Sequence, residues 1–308
     1  MRVVYDLAQA QPLARSHLAI GVFDGVHRGH QQLVTRMVEA AHSTNKVAIV
    51  LTFAPHPAAA LGREPPPLLT TVEERAEYLT ALGLDVLIAL PFTPATARIP
   101  ATDFADALAH HLRLSELWAG PDFALGHRRE GDIPFLQRLG AECGFAVRVV
   151  EPLMWEGGLV SSSRIRAALK AGDIPQATGC LGRPYRLVGV VTSPLGGEGG
   201  GVGVPTANVS IPPERLVPAS GVYACLAHAE QGTYPAVVNV SVRSTTPSPD
   251  ETPVIEAHLL DLDDDFCGQV LAIDFIARLR DERAFSTVNA LVAQIHDDIA
   301  QARVILRM

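Results

Sequence analysis

The segment Gly21-Val22-Phe23-Asp24-Gly25-Val26-His27-Arg28-Gly29-His30 concentrates residues able to handle phosphate. It lies where an apolar run, 17–23, gives way to an amphipathic one, 28–43. A strand-to-helix junction of this kind offers backbone N–H groups and the positive end of a helix dipole, and together these receive a phosphate. Gly21, Gly25 and Gly29 allow tight turning and close approach of backbone to ligand. His27 and His30 are three apart and share one face of the first helical turn. Two imidazoles placed there can donate hydrogen bonds to a phosphoryl group as charge builds on it. A lone His-x-Gly-His is as often a pair of surface histidines. The buried strand before it, and Phe-Asp-Gly in front, favour the phosphate reading.

Two further clusters fit the same chemistry. In Thr52-Phe53-Ala54-Pro55-His56-Pro57 the prolines stop a strand and fix His56 beside its carboxyl end. Alone, the segment reads equally as a rigid turn. In Val160-Ser161-Ser162-Ser163-Arg164-Ile165-Arg166 the serines precede a helical pattern, where capping is their ordinary use. Three hydroxyls beside Arg164 and Arg166 also make a phosphate-binding cluster. Further along, Gly203-Val204-Pro205-Thr206-Ala207-Asn208 reads by itself as a loop with an Asx-turn. Glu256, within 254–260, reads as an outward strand carboxylate.

The elements that must position these groups alternate in the first part of the chain. Strands are expected at 17–23, 46–53, 85–90, 116–119 and 145–150, with helices at 28–43, 71–82, 101–113 and 133–143. Such alternation implies an α/β unit with a parallel sheet, helices on both faces and ligands at the carboxyl ends of the strands. Two short helices, 162–170 and 174–180, follow. After Gly182-Arg183-Pro184 the pattern changes to strands at 185–192, 221–228, 234–240, 254–260 and 269–276. A last helix, 285–306, carries Val288, Leu291, Val292, Ile295 and Ile299 at helical spacing. A small antiparallel β-barrel capped by a helix is expected there, with domains 1–182 and 183–308.

Composition narrows the possibilities. The 308 residues carry 25 Lys and Arg against 33 Asp and Glu, a net −8, which argues against a nucleic-acid partner. Lys46 and Lys170 are the only lysines, and neither stands in a Walker-type phosphate loop, so arginine must carry the positive charge. Cys143, Cys180, Cys225 and Cys267 are scattered, which argues against zinc and suits a reducing cytoplasm. No signal peptide and no membrane-length apolar run is read, so a cytoplasmic protein without a membrane partner is expected.

Taken together, these motifs resemble the bacterial bifunctional riboflavin kinase/FMN adenylyltransferase (FAD synthetase) family, over essentially the whole chain. Gly120-Pro121-Asp122-Phe123-Ala124-Leu125-Gly126, followed by Gly131-Asp132, is similar to a family loop, with Leu125 in place of an aromatic residue. Pro205-Thr206-Ala207-Asn208, Glu256-Ala257-His258-Leu259-Leu260-Asp261 and Gly221-Val222-Tyr223 resemble its kinase module. The resemblance implies a Rossmann-like nucleotidyltransferase domain and a riboflavin kinase barrel. It implies that His27 and His30 stabilise the α-phosphoryl group of ATP. Gly21, Phe23, Asp24, Gly25, Gly29, Ser161, Ser162, Ser163, Arg164 and Arg166 would line the nucleotide's phosphates. His56, Pro57, Asp122, Phe123 and Gly126 would line the nucleotide or flavin site. In the barrel, Gly203 would contact phosphate, Thr206 and Asn208 would hold Mg²⁺, and Glu256 would be the base.

The expected substrates and products are riboflavin, FMN, FAD and ATP. Two loops depart from the family pattern. Gly199, Gly200 and Gly201 replace an arginine and a bulkier residue, and Asn239-Val240-Ser241-Val242-Arg243-Ser244-Thr245 keeps Arg243 but loses Gly, Thr and Pro. They motivate an alternative, an adenylyltransferase whose barrel binds flavin with weakened or no kinase activity. A non-catalytic flavin sensor, or a nucleotidyltransferase for another substrate, would show no ATP turnover or no flavin dependence respectively. The sequence leaves oligomeric state open.

Overall fold

The computed structural model describes residues 1–193, 206–242, 253–262 and 266–307. Gly199 to Gly201, Gly203, Val204, Pro205 and Arg243 to Thr245 therefore lie outside the described residues. The chain forms two compact units, 1–162 and 163–308.

The first unit contains β1 (Arg2–Val4), α1 (Leu7–Ala10), β2 (Ser16–Ile20), α2 (Arg28–His42), β3 (Val47–Phe53), α3 (Pro57–Ala60), α4 (Val72–Ala81), β4 (Val86–Leu90), α5 (Ala101–Leu112), β5 (Leu114–Ala119), β6 (Ala124–Leu125), β7 (Gly131–Asp132), α6 (Ile133–Cys143), β8 (Ala146–Val149), β9 (Met154–Trp155) and β10 (Gly158–Leu159). Six strands form a parallel sheet in the order β1-β4-β3-β2-β5-β8. β2 and the middle of β3 are buried on both faces, as central parallel strands must be. Alternation along the strands sorts side chains by size. Leu18, Ile20, Ile49, Leu51 and Ile88 pack with Phe104 and Leu108 of α5 and Leu136 of α6. Ala19, Ala48, Val50 and Leu87 face the other way, against Val34, Met37 and Val38 of α2 and Leu79 of α4.

Local chemistry sets the helix starts. Thr71 and Glu74 form a reciprocal capping box on α4, and Asp132 caps α6 through the Phe135 N–H. The expected elements of this unit all form. β1 and α1 were not foreseen, because three or four residues show no period.

The second unit opens with α7 (Ser162–Ala171), which begins one residue before the division, and α8 (Ile174–Leu181). The strands β11 (Tyr185–Ser193), β12 (Ala207–Ser210), β13 (Gly221–Ala229), β14 (Gly232–Val242), β15 (Pro253–Leu259) and β16 (Val270–Arg280) close into an antiparallel barrel in the order β11-β12-β15-β14-β13-β16. Tyr185, Tyr223 and Phe275 fill it, with the Tyr223 and Phe275 rings edge to face at 5.2 Å.

α9 (Val288–Leu306) packs on β13, β14 and β16. Its buried residues are Asp298 and Ala302, whereas Val288 is exposed. Asp298 takes Arg280 of β16 in a bidentate pair, with N–O distances of 2.7–3.1 Å, and accepts from Gln294 at 2.8 Å. Apolar spacing cannot reveal such a charged anchor, so the stripe read from the sequence starts one turn too early.

Candidate active sites

In the first unit the loop from Gly21 to Val26 joins β2 to α2 at the carboxyl edge of the sheet. Phe23, Gly25 and Val26 all have positive φ, at 51°, 83° and 38°. For a β-branched residue such as Val26 this is a strained state, which persists only where the surroundings over-determine it. The surroundings do so. The Thr52 hydroxyl donates to the Val22 carbonyl at 2.7 Å, the Gly25 N–H donates to Thr70 Oγ1 at 2.8 Å, and Ser162 Oγ donates to the Asp24 carbonyl at 2.9 Å. The Asp24 carboxylate accepts from the backbone N–H groups of Leu69 and Thr70 at 2.9–3.1 Å. Asp24 is thus an anchor of the loop, turned into the protein.

His27 is the N-cap of α2. Its Nδ1 accepts from the His30 N–H at 3.3 Å, which leaves the neutral ring's proton on Nε2. The two imidazoles stack at 3.6 Å and 17°, and the Phe23 ring lies 5.0 Å from that of His30. Burial, then the neighbouring His27 and Arg75, hold the His30 imidazole well below its usual range, so it is neutral near neutral pH. His30 Nδ1 is buried and has no hydrogen-bond partner among the described residues. Gly29 has ordinary helical φ and is needed for closeness: a Cβ there would stand 3.2 Å from the His27 ring. A Cβ on Gly21 would stand 3.2 Å from Phe23. Of the turning roles assigned to glycine, Gly25 fills that one.

Beside the loop lies a cavity of about 900 Å³. Gly21, Pro57, Phe123 and Gly126 line it, together with the apolar Phe53 and Phe92. Arg63, Arg98, Arg128 and Arg129 also line it and were not foreseen. The Arg128-Arg129 pair directly behind the Gly126 motif, in a chain short of lysine, is the signal that could have found two of them. His56 caps α3 through the Ala58 N–H, and the Asp122 carbonyl accepts from Arg129 at 2.7 Å. Gly126 has φ 78° and ψ 178°, a region closed to other residues, and a Cβ there would lie 2.6 Å from Ala101. Gly126→Ala is expected to cost at least ~1–3 kcal/mol and to lower Tm by several degrees in differential scanning calorimetry.

Ser161 precedes α7, and Ser163, Arg164 and Arg166 belong to α7 within the second unit. Arg164 Nε donates to Gln176 Oε1 of α8 at 3.4 Å.

In the barrel, backbone register assembles the other set. Asn208 on β12 and Asn239 on β14 both pair with Glu256 on β15. Residues directly opposite in antiparallel strands have neighbouring side chains. Asn239 Nδ2 donates to Glu256 Oε2 at 3.2 Å. Asn208 Oδ1 is buried with no hydrogen-bond partner among the described residues. A hard oxygen left in that state, next to the Thr206 hydroxyl in sequence and opposite a carboxylate, suits a divalent cation such as Mg²⁺. Asn239 was quoted from the sequence without a role, because its register partner is not visible in one dimension.

The chain matches the family model for FAD synthetase over residues 9–164 and that for riboflavin kinase over residues 181–306. It is 35% identical over 307 residues to the bifunctional riboflavin kinase/FMN adenylyltransferase of Pseudomonas fluorescens, covering 98% of this chain and 97% of that one. It is 34% identical over 295 residues to the Bacillus subtilis (strain 168) protein of the same name, covering 94% and 92%. Among solved structures it is similar to one from Streptococcus pneumoniae described as a macrolide-efflux protein, at TM-score 0.88 and 26% identity, covering 98% of this chain and 99% of that one. No helix among the described residues here is long and apolar enough to cross a membrane. With both family models matched, and relatives of one name aligned nearly end to end, the chain belongs to the bifunctional riboflavin kinase/FMN adenylyltransferase family.

Proposed function

We propose that residues 183–308 convert riboflavin to FMN and residues 1–182 convert FMN to FAD, both in the cytoplasm and both with ATP. The observation that carries the second step is the stacked His27 and His30 pair, fixed at a helix start beside a large, mainly apolar cavity. A phosphate oxygen of FMN attacks the α-phosphorus of ATP. The bond from that phosphorus to the bridging oxygen breaks, and pyrophosphate leaves with the electron pair. Little covalent chemistry is needed beyond placement and charge stabilisation. The Nε2–H of His27 supplies a donor for the developing charge. Neutral His30 and the positive end of the α2 dipole complete the site. Ser161, Ser162, Ser163, Arg164 and Arg166 are proposed to hold the remaining phosphates. The cavity with Phe123 and Pro57 is proposed to take the flavin ring, with His56 and Asp122 at its approaches.

In the barrel, Glu256 accepts the proton of the ribityl hydroxyl as its oxygen attacks the γ-phosphorus, and ADP leaves. Asn239 orients the carboxylate. Thr206 and Asn208 would hold Mg²⁺, which when bound neutralises phosphate charge. Gly203 is proposed to contact phosphate.

The test is a time course with riboflavin, ATP and Mg²⁺, resolving the three flavins by chromatography. FMN is expected first and FAD after it. FAD from supplied FMN, without FMN from riboflavin, would show that the barrel is not a kinase.

A further inference from the structure

Arg75 lies on α4, a helix whose sequence suggests nothing but an ordinary amphipathic element. Its side chain is nonetheless almost wholly buried, as are those of Asp24, Thr52 and Thr70. The guanidinium spreads over three partners. Nε donates to Thr70 Oγ1 at 3.3 Å, one terminal nitrogen donates to Thr52 Oγ1 at 3.3 Å, and the other donates to the Thr70 carbonyl at 3.1 Å. That last nitrogen stands 3.6 Å from Asp24 Oδ1. The two hydroxyls it grips are the ones that hold the strained loop. Thr52 donates onward to the Val22 carbonyl, and Thr70 donates to Asp24 while accepting from the Gly25 N–H. Arg75 so acts on the backbone of the phosphate loop from below, through two threonines.

Burying a guanidinium is costly, and an apolar residue of similar volume would serve packing as well or better. A flexible ammonium could not satisfy all three acceptors at once, because only the planar fork presents its donors in fixed divergent directions. The geometry therefore serves placement. We propose that Arg75 is a positioning residue for adenylyl transfer, fixing the Phe23 to Val26 backbone, and with it His27, through Thr52 and Thr70. The proposal rests on the reading of His27 and His30 as the adenylyl-transfer site.

The test measures FAD formation from supplied FMN in the full-length chain, with FMN formation from riboflavin as an internal control. The variants are Arg75→Met, Arg75→Lys, Thr52→Val and His27→Ala. A loosened phosphate loop binds ATP less well and places it less well. Arg75→Met is expected to raise KM for ATP at least threefold and to lower kcat/KM about tenfold or more. Arg75→Lys should recover only part of this, and FMN formation should be unchanged. A merely structural role would lower kcat with the folded fraction and leave KM where it was. Thr52→Val, which deletes one link and keeps the charge pair, should also raise KM; it carries the test if Arg75→Met does not fold. A parental KM in Thr52→Val and in whichever Arg75 variants fold overturns the proposal. FAD formation at the parental rate in His27→Ala would instead overturn the site reading beneath it.

Discussion

His27→Ala is expected to lower FAD formation by at least ~10²-fold while FMN formation continues at the parental rate. Three functions meet in that ring: it caps α2 through Nδ1, stacks on His30, and keeps a donor proton on Nε2. Loss of the cap alone costs about 1 kcal/mol, too little to unfold a unit with two continuous cores. The loss of activity would then come from the missing donor. His27→Asn separates the roles, since asparagine caps helices well but offers no imidazole for the stack. It should keep the stability of the parent and share the catalytic defect of alanine. Chromatographic separation of FMN and FAD over time decides it, and recovery of FAD formation in His27→Asn would reduce His27 to a cap.

The barrel should respond in the opposite sense. Glu256→Gln is expected to slow FMN formation by ~10²- to 10⁴-fold and to leave FAD formation from supplied FMN untouched. Glutamine keeps the size of the side chain and an oxygen for the Asn239 amide, and the pairing of Asn208, Glu256 and Asn239 across three strands is set by backbone register. The ability to take a proton is what is removed. Unchanged riboflavin phosphorylation in this variant would move the base elsewhere.

The sequence was informative where a physical period or a cap repeats along it. The apolar runs of β2, β3 and β4 and the stripe of α2 could be read directly, and so could the change from α/β to barrel pattern. β12 could not, because four residues between a glycine-rich stretch of sequence and a turn look like the turn itself. The family resemblance placed Asp24 among the residues lining the phosphates, and loop spacing alone does not show which way its carboxylate turns. Its inward turn depends on Leu69 and Thr70, forty-five and forty-six positions away. Arg75 was invisible for the same reason: its meaning lies in three partners contributed by other elements. Spacing shows which residues are neighbours on one helix, and only the fold shows which buried charges face each other.

The scarcity of lysine has a practical side. Lys46 is half-buried with its Nζ 3.4 Å from His17 Nε2, whereas Lys170 is exposed near the end of α7. Of the two lysines, an amine-directed label therefore meets an open one at Lys170. Its modification would mark a single known position in the unit that carries the barrel. That gives a site for a fluorophore or surface attachment obtained without mutation.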